Sequence, residues 1–288
     1  MGYSIDNGDT TQLHGDTSIN AKVSASAGTH TVHVKAWSST GAVCTAQVSI
    51  KVTTVTDDAV ANTSIVPANA VSVSNLDSMG GWKATHDTGA NGSASGSMAM
   101  VSSPSHSGSA RRFISTYKNY GAMRYSIAFG DNRTSTNFMW DGWVYLTSSY
   151  TDIANLEMDL NQTMPNGQTV IFGIQCNSSA GKWDYTQNLG TAAHPKGSWT
   201  HSSAPCNLKN WGTSKWHHVQ MQYSRTSTGH VTYKYVWLDG TKYTLNKTVF
   251  AARSMGWGSS FVMNFQVDGK GSSGKSTIYL DNLTLYRW

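Results

Sequence analysis

Charge is scarce in this chain: Asp, Glu, Lys and Arg together make up 13% of its 288 residues. No basic run is longer than Arg111-Arg112, and the net charge is a modest +5, which argues against a nucleic-acid partner. Long apolar runs are absent too. None approaches the ~20 residues a membrane-spanning helix needs, so no membrane span is expected. From Val71 onward no stretch sustains the 3.6-residue period of an amphipathic helix, which sets the chain apart from a cytosolic α/β enzyme. There is no Gly-x-Ser-x-Gly elbow, no His-Glu-x-x-His and no phosphate-binding loop, so the common nucleophile, zinc and nucleotide chemistries are unsupported. Met1-Gly2-Tyr3 runs straight into strand-like sequence with no signal segment before it, as in a fragment of a secreted protein. Cysteine is limited to three residues. Cys176 and Cys206 bracket a Trp- and Gly-rich excursion and are expected to pair, closing a loop worth about 3–4 kcal/mol in chain entropy. Oxidation fits a secreted or cell-surface location. Cys44 is then left either as a buried free thiol or as the partner of a strand outside this chain.

What the chain does have is Ser, Thr, Gly and Asn in quantity, with 11 Trp and 13 Tyr. That is the profile of an extracellular β-sandwich carrying aromatic platforms. Residues 1–54 alternate in polarity, including Tyr3-Ser-Ile-Asp, Ser18 to Ala25, Thr29 to Trp37 and Val43 to Val52. Residues 55–70 have few large apolar groups and are expected to be a linker. Residues 71–288 show ten or more short β-branched and aromatic runs with Gly, Asn and Ser turns between them, the pattern of a two-sheet antiparallel jelly roll.

The stretch of most interest is Ile153 to Gln162. A strand's two-residue period puts Leu156, Met158 and Leu160 on one face and Asn155, Glu157, Asp159 and Asn161 on the other. Pro165-Asn166-Gly167 then reverses the chain into a second strand, where Phe172 and Ile174 continue the core and Gly173 and Gln175 flank the acid row. A glycine at that place leaves room for a ligand. In Phe261 to Asp268 the same alternation turns Asn264, Gln266 and Asp268 toward the polar face. Carboxylates and planar amides beside an exposed Trp, with Trp183 and Trp211 as candidates, suit a pyranose: hydrogen bonds to its hydroxyls and an aromatic plane against its C–H face.

Several resemblances follow from these residues. Ala27-Gly-Thr-His-Thr-Val-His-Val-Lys-Ala-Trp37 resembles the closing strands of bacterial immunoglobulin-like modules. Such a sandwich needs about seven strands, so residues 1–54 are expected to be a partial module with an open edge available for self-association. Trp216-His-His-Val-Gln220, with Val231 to Trp237 and Leu238-Asp-Gly240, resembles the hairpin of laminin-G and concanavalin A-like sandwiches. Ile278 to Tyr286 is similar to the last strand of carbohydrate-binding jelly rolls, which implies a structural calcium held through Asp281. Glu157-Met-Asp-Leu-Asn-Gln162 resembles the Glu-x-Asp-x-x-Glu strand of laminarinase- and lichenase-type glycoside hydrolases. That resemblance implies Glu157 as nucleophile and Asp159 as its assistant, but Gln162 stands where the acid/base should be, and an amide cannot donate and recover a proton. Asp184 or Asp268 would have to supply it. Legume lectins carry a similar Glu-x-Asp strand that binds calcium or manganese.

The expectation is a secreted all-β protein: a partial immunoglobulin-like sandwich, then a concanavalin A-like jelly roll that binds polysaccharide on its concave face through Asn155, Asn161, Gln162, Gln175, Trp183, Asn264 and Gln266. No cofactor is required beyond the structural calcium. The alternatives are a β-glucan hydrolase centred on Glu157 and Asp159, which ranks ahead of a polysaccharide lyase, and a structural or adhesive surface protein with no glycan ligand.

Overall fold

The computed structural model describes residues 1–6, 12–13, 25–26, 28–52 and 66–288. The expected strand from Ser18 and most of the expected linker lie outside these residues. The chain divides into two compact units, Met1–Asp57 and Asp58–Trp288.

In the first unit β1 (Gly2–Ile5), β2 (Gln12–Leu13), β3 (Gly28–Trp37) and β4 (Val43–Val52) form an antiparallel sheet in the order β2-β1-β3-β4. The two long strands form a ten-residue ladder from Gly28↔Val52 to Trp37↔Val43. β4 is exposed along nearly all its length, and Cys44 upon it is a free, exposed thiol rather than a buried one.

The second unit is a sandwich of two antiparallel sheets, a jelly-roll fold. Its strands are β5 (Val71–Val73), β6 (Lys83–His86), β7 (Ser93–Val101), β8 (Ala110–Lys118), β9 (Ala122–Phe129), β10 (Asn137–Leu146), β11 (Ile153–Thr163) and β12 (Thr169–Asn177). They continue with β13 (Lys182–Asn188), β14 (Gly197–Pro205), β15 (Trp216–Arg225), β16 (His230–Leu238), β17 (Thr241–Phe250), β18 (Ala252–Arg253), β19 (Phe261–Gly269) and β20 (Ser273–Arg287). One sheet runs β17-β16-β15-β10-β20-β8-β7 with β5 added beside β20. The other runs β14-β13-β12-β11-β19-β9-β6, with β18 added beside β12, and it carries the acid row.

The core between the sheets follows from the alternation. Leu156, Met158 and Leu160 of β11 are fully buried, as are Phe172 and Ile174 of β12 and Phe261 of β19. From the other sheet Phe138 packs against Phe172 at 5.2 Å with the rings tilted by 58°, and Tyr223 reaches the same ring at 5.4 Å. Each such side chain contributes roughly 1.5–3 kcal/mol when taken out of water. β11 is the centre of its sheet, pairing continuously with β12 from Asn155↔Asn177 to Thr163↔Thr169 and with β19 on its other edge. The reversal between β11 and β12 is the expected one: Gly167 takes φ +81°, and its N–H donates to the Met164 carbonyl at 3.0 Å. Cys176 is bonded to Cys206, which ties β12 to the segment just after β14.

Candidate functional site

On the side of its sheet away from the core, β11 presents Asn155, Glu157, Asp159 and Asn161. Register turns this row into a two-dimensional array. Glu157 lies opposite Gln175 on one side and Gln266 on the other; Gln175 lies opposite Asp184, Asp184 opposite His201, and Gln266 opposite Arg124. Arg124, Gln266, Glu157, Gln175, Asp184 and His201 therefore form one line across six strands, about 24 Å long at the usual ~4.8 Å strand spacing. The adjacent line runs Ser126, Asn264, Asp159 and Gly173, and on β13 and β14 Thr186 pairs with Trp199.

Gly173 is the low point of this face. A Cβ added there would stand 2.6 Å from Thr186 Cγ2, 3.0 Å from Asp159 Oδ1 and 3.1 Å from Trp199 Cη2. Only a residue without a side chain lets the indole of Trp199 lie over the strand. Trp199 is 39% exposed, which makes it the aromatic platform of this face. Beside it Asp184, almost fully buried, accepts a hydrogen bond from Gln175 Nε2 at 3.2 Å and from Asn177 Nδ2 at 2.8 Å, and its other oxygen lies 2.7 Å from His201 Nδ1. The His201 side chain is 61% exposed. Asp184 thus fixes the ring of His201 and is itself screened from a ligand.

The carboxyls of the row are far from their ordinary state. Burial, then the charge of Asp159 and a hydrogen bond to it, and then Asp268 and Asp87, hold the Glu157 carboxyl well above the usual carboxylate range. Burial pushes Asp159 up to about 6, against the opposing pull of hydrogen bonds from Glu157 and Asn264 and of the Arg124 charge. Glu157 in its neutral form donates to the Asp159 carboxylate. Such a Glu157 is suited to giving a proton, whereas a nucleophile must be ionised. Asp268, also raised by burial, accepts from Asn155 Nδ2 at 2.9 Å and from Gln266 Nε2 at 3.0 Å. Gln266 Nε2 also lies 3.3 Å from Asp87 Oδ2.

Of the expected residues, Asn155, Glu157, Asp159, Gln175, Asn264 and Gln266 share this face. Asn161 shares it by register but is 1% exposed, with its amide N–H donating to the Val262 carbonyl at 3.0 Å. Gln162 does not share it. No bulge interrupts β11 between Asn155 and Thr163, so a residue five positions from Glu157 points to the opposite face. There its Oε1 accepts from Arg225 Nε, and its Nε2 donates to the carbonyls of Asn132 and Ser135 at 3.1 and 3.2 Å. Trp183 is also misplaced by expectation. It is opposite Cys176, fully buried, with its ring 6.0 Å from that of Trp211, itself 2% exposed. Neither is a platform. Asp281 is not set up as a calcium ligand, because protein donors already occupy its carboxylate: the backbone N–H groups of His106, Ser107 and Asn282 and the Ser107 hydroxyl, at 2.6–3.1 Å. Around the Glu157–Asp159 pair too, the described residues contain no group of three or more His, Cys, Asp or Glu able to hold an ion.

Trp199 and His201 were not anticipated. The signal was present as alternation, since Trp199, His201 and Ser203 point outward while Ser202 and Ala204 are buried.

A ≈ 300 Å³ cleft adjoins the row, bordered by Asn155, Gln266, Asp268, Asp87, Tyr120 and Trp199. Among the described helices, none is long and apolar enough to cross a membrane.

No protein-family model matches this chain, and no curated protein does. Solved structures that resemble it include a carbohydrate-binding module of a β-sandwich superfamily, at 15% identity and a TM-score of 0.40, covering 98% of this chain and 84% of that one. Others are the CBM22-1 xylan-binding domain of Paenibacillus barcinonensis Xyn10C, at 12% identity and 0.33 over 75% of this chain and 92% of that one, and arcelin-5, a lectin-like defence protein of Phaseolus vulgaris, at 12% and 0.39 over 77% and 99%. Likenesses this distant carry no functional argument.

Proposed function

We propose that this chain is a secreted polysaccharide-binding protein whose glycan lies along the polar face of the β11 sheet. The observation that carries the reading is Trp199, a half-exposed indole seated over Gly173, next to a line of carboxyl and amide groups and bordering a cleft. A pyranose has an apolar C–H face and a rim of hydroxyls, and this arrangement offers a partner to each. The Cys176–Cys206 bond supports an oxidising compartment.

Binding without turnover is favoured over β-glucan hydrolysis for two reasons. Gln162 points into the core and supplies no acid/base, and burial with the neighbouring carboxyls favours the protonated form of Glu157 over the ionised form a retaining nucleophile needs. Hydrolysis with Glu157 as proton donor is the second reading, motivated by that same neutral carboxyl and by the ring of His201 held by Asp184.

The test is pull-down on insoluble glycans, run beside a reducing-end assay with wild type, Trp199→Ala and Glu157→Gln. Binding that Trp199→Ala weakens, with no reducing ends released, is the expected result. Release that Glu157→Gln abolishes transfers the conclusion to the hydrolase. Absence of binding and release on every glycan leaves a sandwich that only packs. The sheet of the first unit is proposed as an immunoglobulin-like module whose exposed edge strand β4 mediates self-association, which sedimentation at rising concentration checks.

A further inference from the structure

The charge and hydrogen-bonding balance of the cleft narrows the class of saccharide, given the glycan-binding reading on which this inference rests. The cleft holds ≈ 300 Å³, and its acidic lining residues are Asp87 and Asp268. Its other lining residues are Gly, Ala, Asn, Gln, Tyr and Trp, with no Lys, Arg or His among them. Two rings border it in the open, Tyr120 at 60% and Trp199 at 39% exposure.

Two of the three amides that border the cleft, Asn155 and Gln266, already spend N–H groups inward. Asn155 Nδ2 donates to Asp268 Oδ2, and Gln266 Nε2 is shared between Asp268 Oδ1 and Asp87 Oδ2. The donors of these two amides are thus turned to Asp87 and Asp268, and the formal charge of the lining is carried by those two carboxyls alone. Outside the cleft lining, further along the face, Asp159 Oδ1, Asn161 Oδ1 and Gln175 Oε1 have no hydrogen-bond partner among the described residues, and their residues are 1–3% exposed. Asp159 Oδ1 points into the space above Gly173 that Trp199 covers. These oxygens are covered and do not meet a ligand, but they add to the negative potential of the face beside the cleft.

Sugar hydroxyls carry no charge, so a neutral glycan would leave this negative charge unbalanced. A uronate or a sulfated sugar would add negative charge to a site that already carries it. An ammonium group has three donors, no acceptor and a positive charge. Asp87 and Asp268 both accept from the Gln266 Nε2 amide group, at 3.3 and 3.0 Å, so the two carboxyls are close enough for a single cation to relieve their mutual repulsion. The two exposed rings add cation–π attraction and cover the C–H face of the same residue. Arg124 stands opposite Gln266, but its charge acts on Asp159 and it is not part of the cleft lining.

We propose that the cleft is a subsite for a protonated amino sugar, a de-N-acetylated hexosamine within a polysaccharide, with its ammonium between Asp87 and Asp268 and its C–H face on Trp199 and Tyr120. Selection is local: the chain as a whole carries +5, which repels a polycation at long range.

Calorimetric titration with four oligosaccharides of equal length tests this: β-1,4-linked glucosamine, its N-acetylated counterpart, a neutral β-glucan and a uronate, below the amine pKa and at physiological salt. The free-amine oligomer is expected to bind about tenfold or more tightly than the others, and Asp268→Asn to remove that preference. Asp87→Asn repeats the test should Asp268→Asn unfold. Equal binding of neutral and amino oligomers overturns the amine subsite and leaves glycan binding standing, as does preference for the N-acetylated or uronate oligomer. A preference for the amine that survives both substitutions overturns its placement here. No binding of any oligomer overturns both this inference and the glycan-binding reading beneath it.

Discussion

The tip of the Trp199 indole lies 3.1 Å from the point where a side chain at Gly173 would begin. The two residues belong to different strands, β12 and β14, so the platform depends on a missing side chain two strands away. Gly173→Ala is expected to push Trp199 and Thr186 off the face, because an added methyl meets Thr186 Cγ2 at 2.6 Å. Overpacking of this kind costs about 1–3 kcal/mol. Glycan affinity falls with it, and a Trp199 fluorescence shift in a protein that retains its cooperative melt distinguishes displacement from unfolding.

Two tryptophans on neighbouring strands give opposite phenotypes. Trp199→Ala removes a half-exposed ring and should cost about 1–2 kcal/mol, while loss of the stacking surface lowers glycan affinity by about tenfold. Trp183→Ala empties a core position packed against Trp211 and should cost about 3–5 kcal/mol. Denaturant titration and binding on the same two variants check the pair; equal effects on both measurements from both variants contradict the assignment of faces.

Gln162 holds the guanidinium of Arg225 inside the sandwich. Removing it by Gln162→Ala leaves Arg225 Nε unpaired while Nη1 and Nη2 keep the Thr226 and Arg133 carbonyls, and a loss of about 1–3 kcal/mol is expected in urea unfolding. Gln162→Glu restores the carboxylate of the glycosidase pattern in sequence but places it against Arg225, away from Glu157. No reducing-end release on any β-glucan is the expected outcome, and release would contradict the orientation of β11.

The period of two located most of this architecture. It put Leu156, Met158 and Leu160 in the core and Glu157 and Asp159 on the far face, and it gave the turn at Pro165-Asn166-Gly167. The same period also placed Gln162 inside, with Leu160, and the motif likeness pulled it to the wrong face. Strands β13 and β14 were harder. In Lys182–Asn188 both faces are buried, Trp183 against the core and Asp184 beneath His201, so hydrophobicity does not alternate where geometry does. Gly, Ser and Pro around Trp199 weaken the strand signal of β14. The partnership of Asp184 with His201 was invisible for another reason: residues 17 apart meet only through a cross-strand register that composition does not encode.

The acid row carries a stability penalty that depends on pH. Burial and its neighbours raise Glu157 far above its ordinary value and Asp159 from 3.8 to about 6. A carboxyl whose pKa is raised by folding binds its proton more tightly in the native state, so the native chain holds more protons than the unfolded one between the two pKa values. Stability then falls as pH rises through that window, from about 4 to about 6 for Asp159, and the loss is complete above it. At pH 7 the penalty is on the order of 1–3 kcal/mol for this one group. Asp159→Asn removes the ionisation and keeps the shape, so the variant should be more stable than wild type at pH 7–8 and the gap should close below about pH 4. Denaturant midpoints across that range check the sign, and a variant that is less stable at neutral pH would show that the Asp159 carboxylate is held by its partners rather than tolerated. Retaining such a group against stability is what a binding site does, so the same Asp159→Asn protein should also lose glycan affinity where it gains in midpoint.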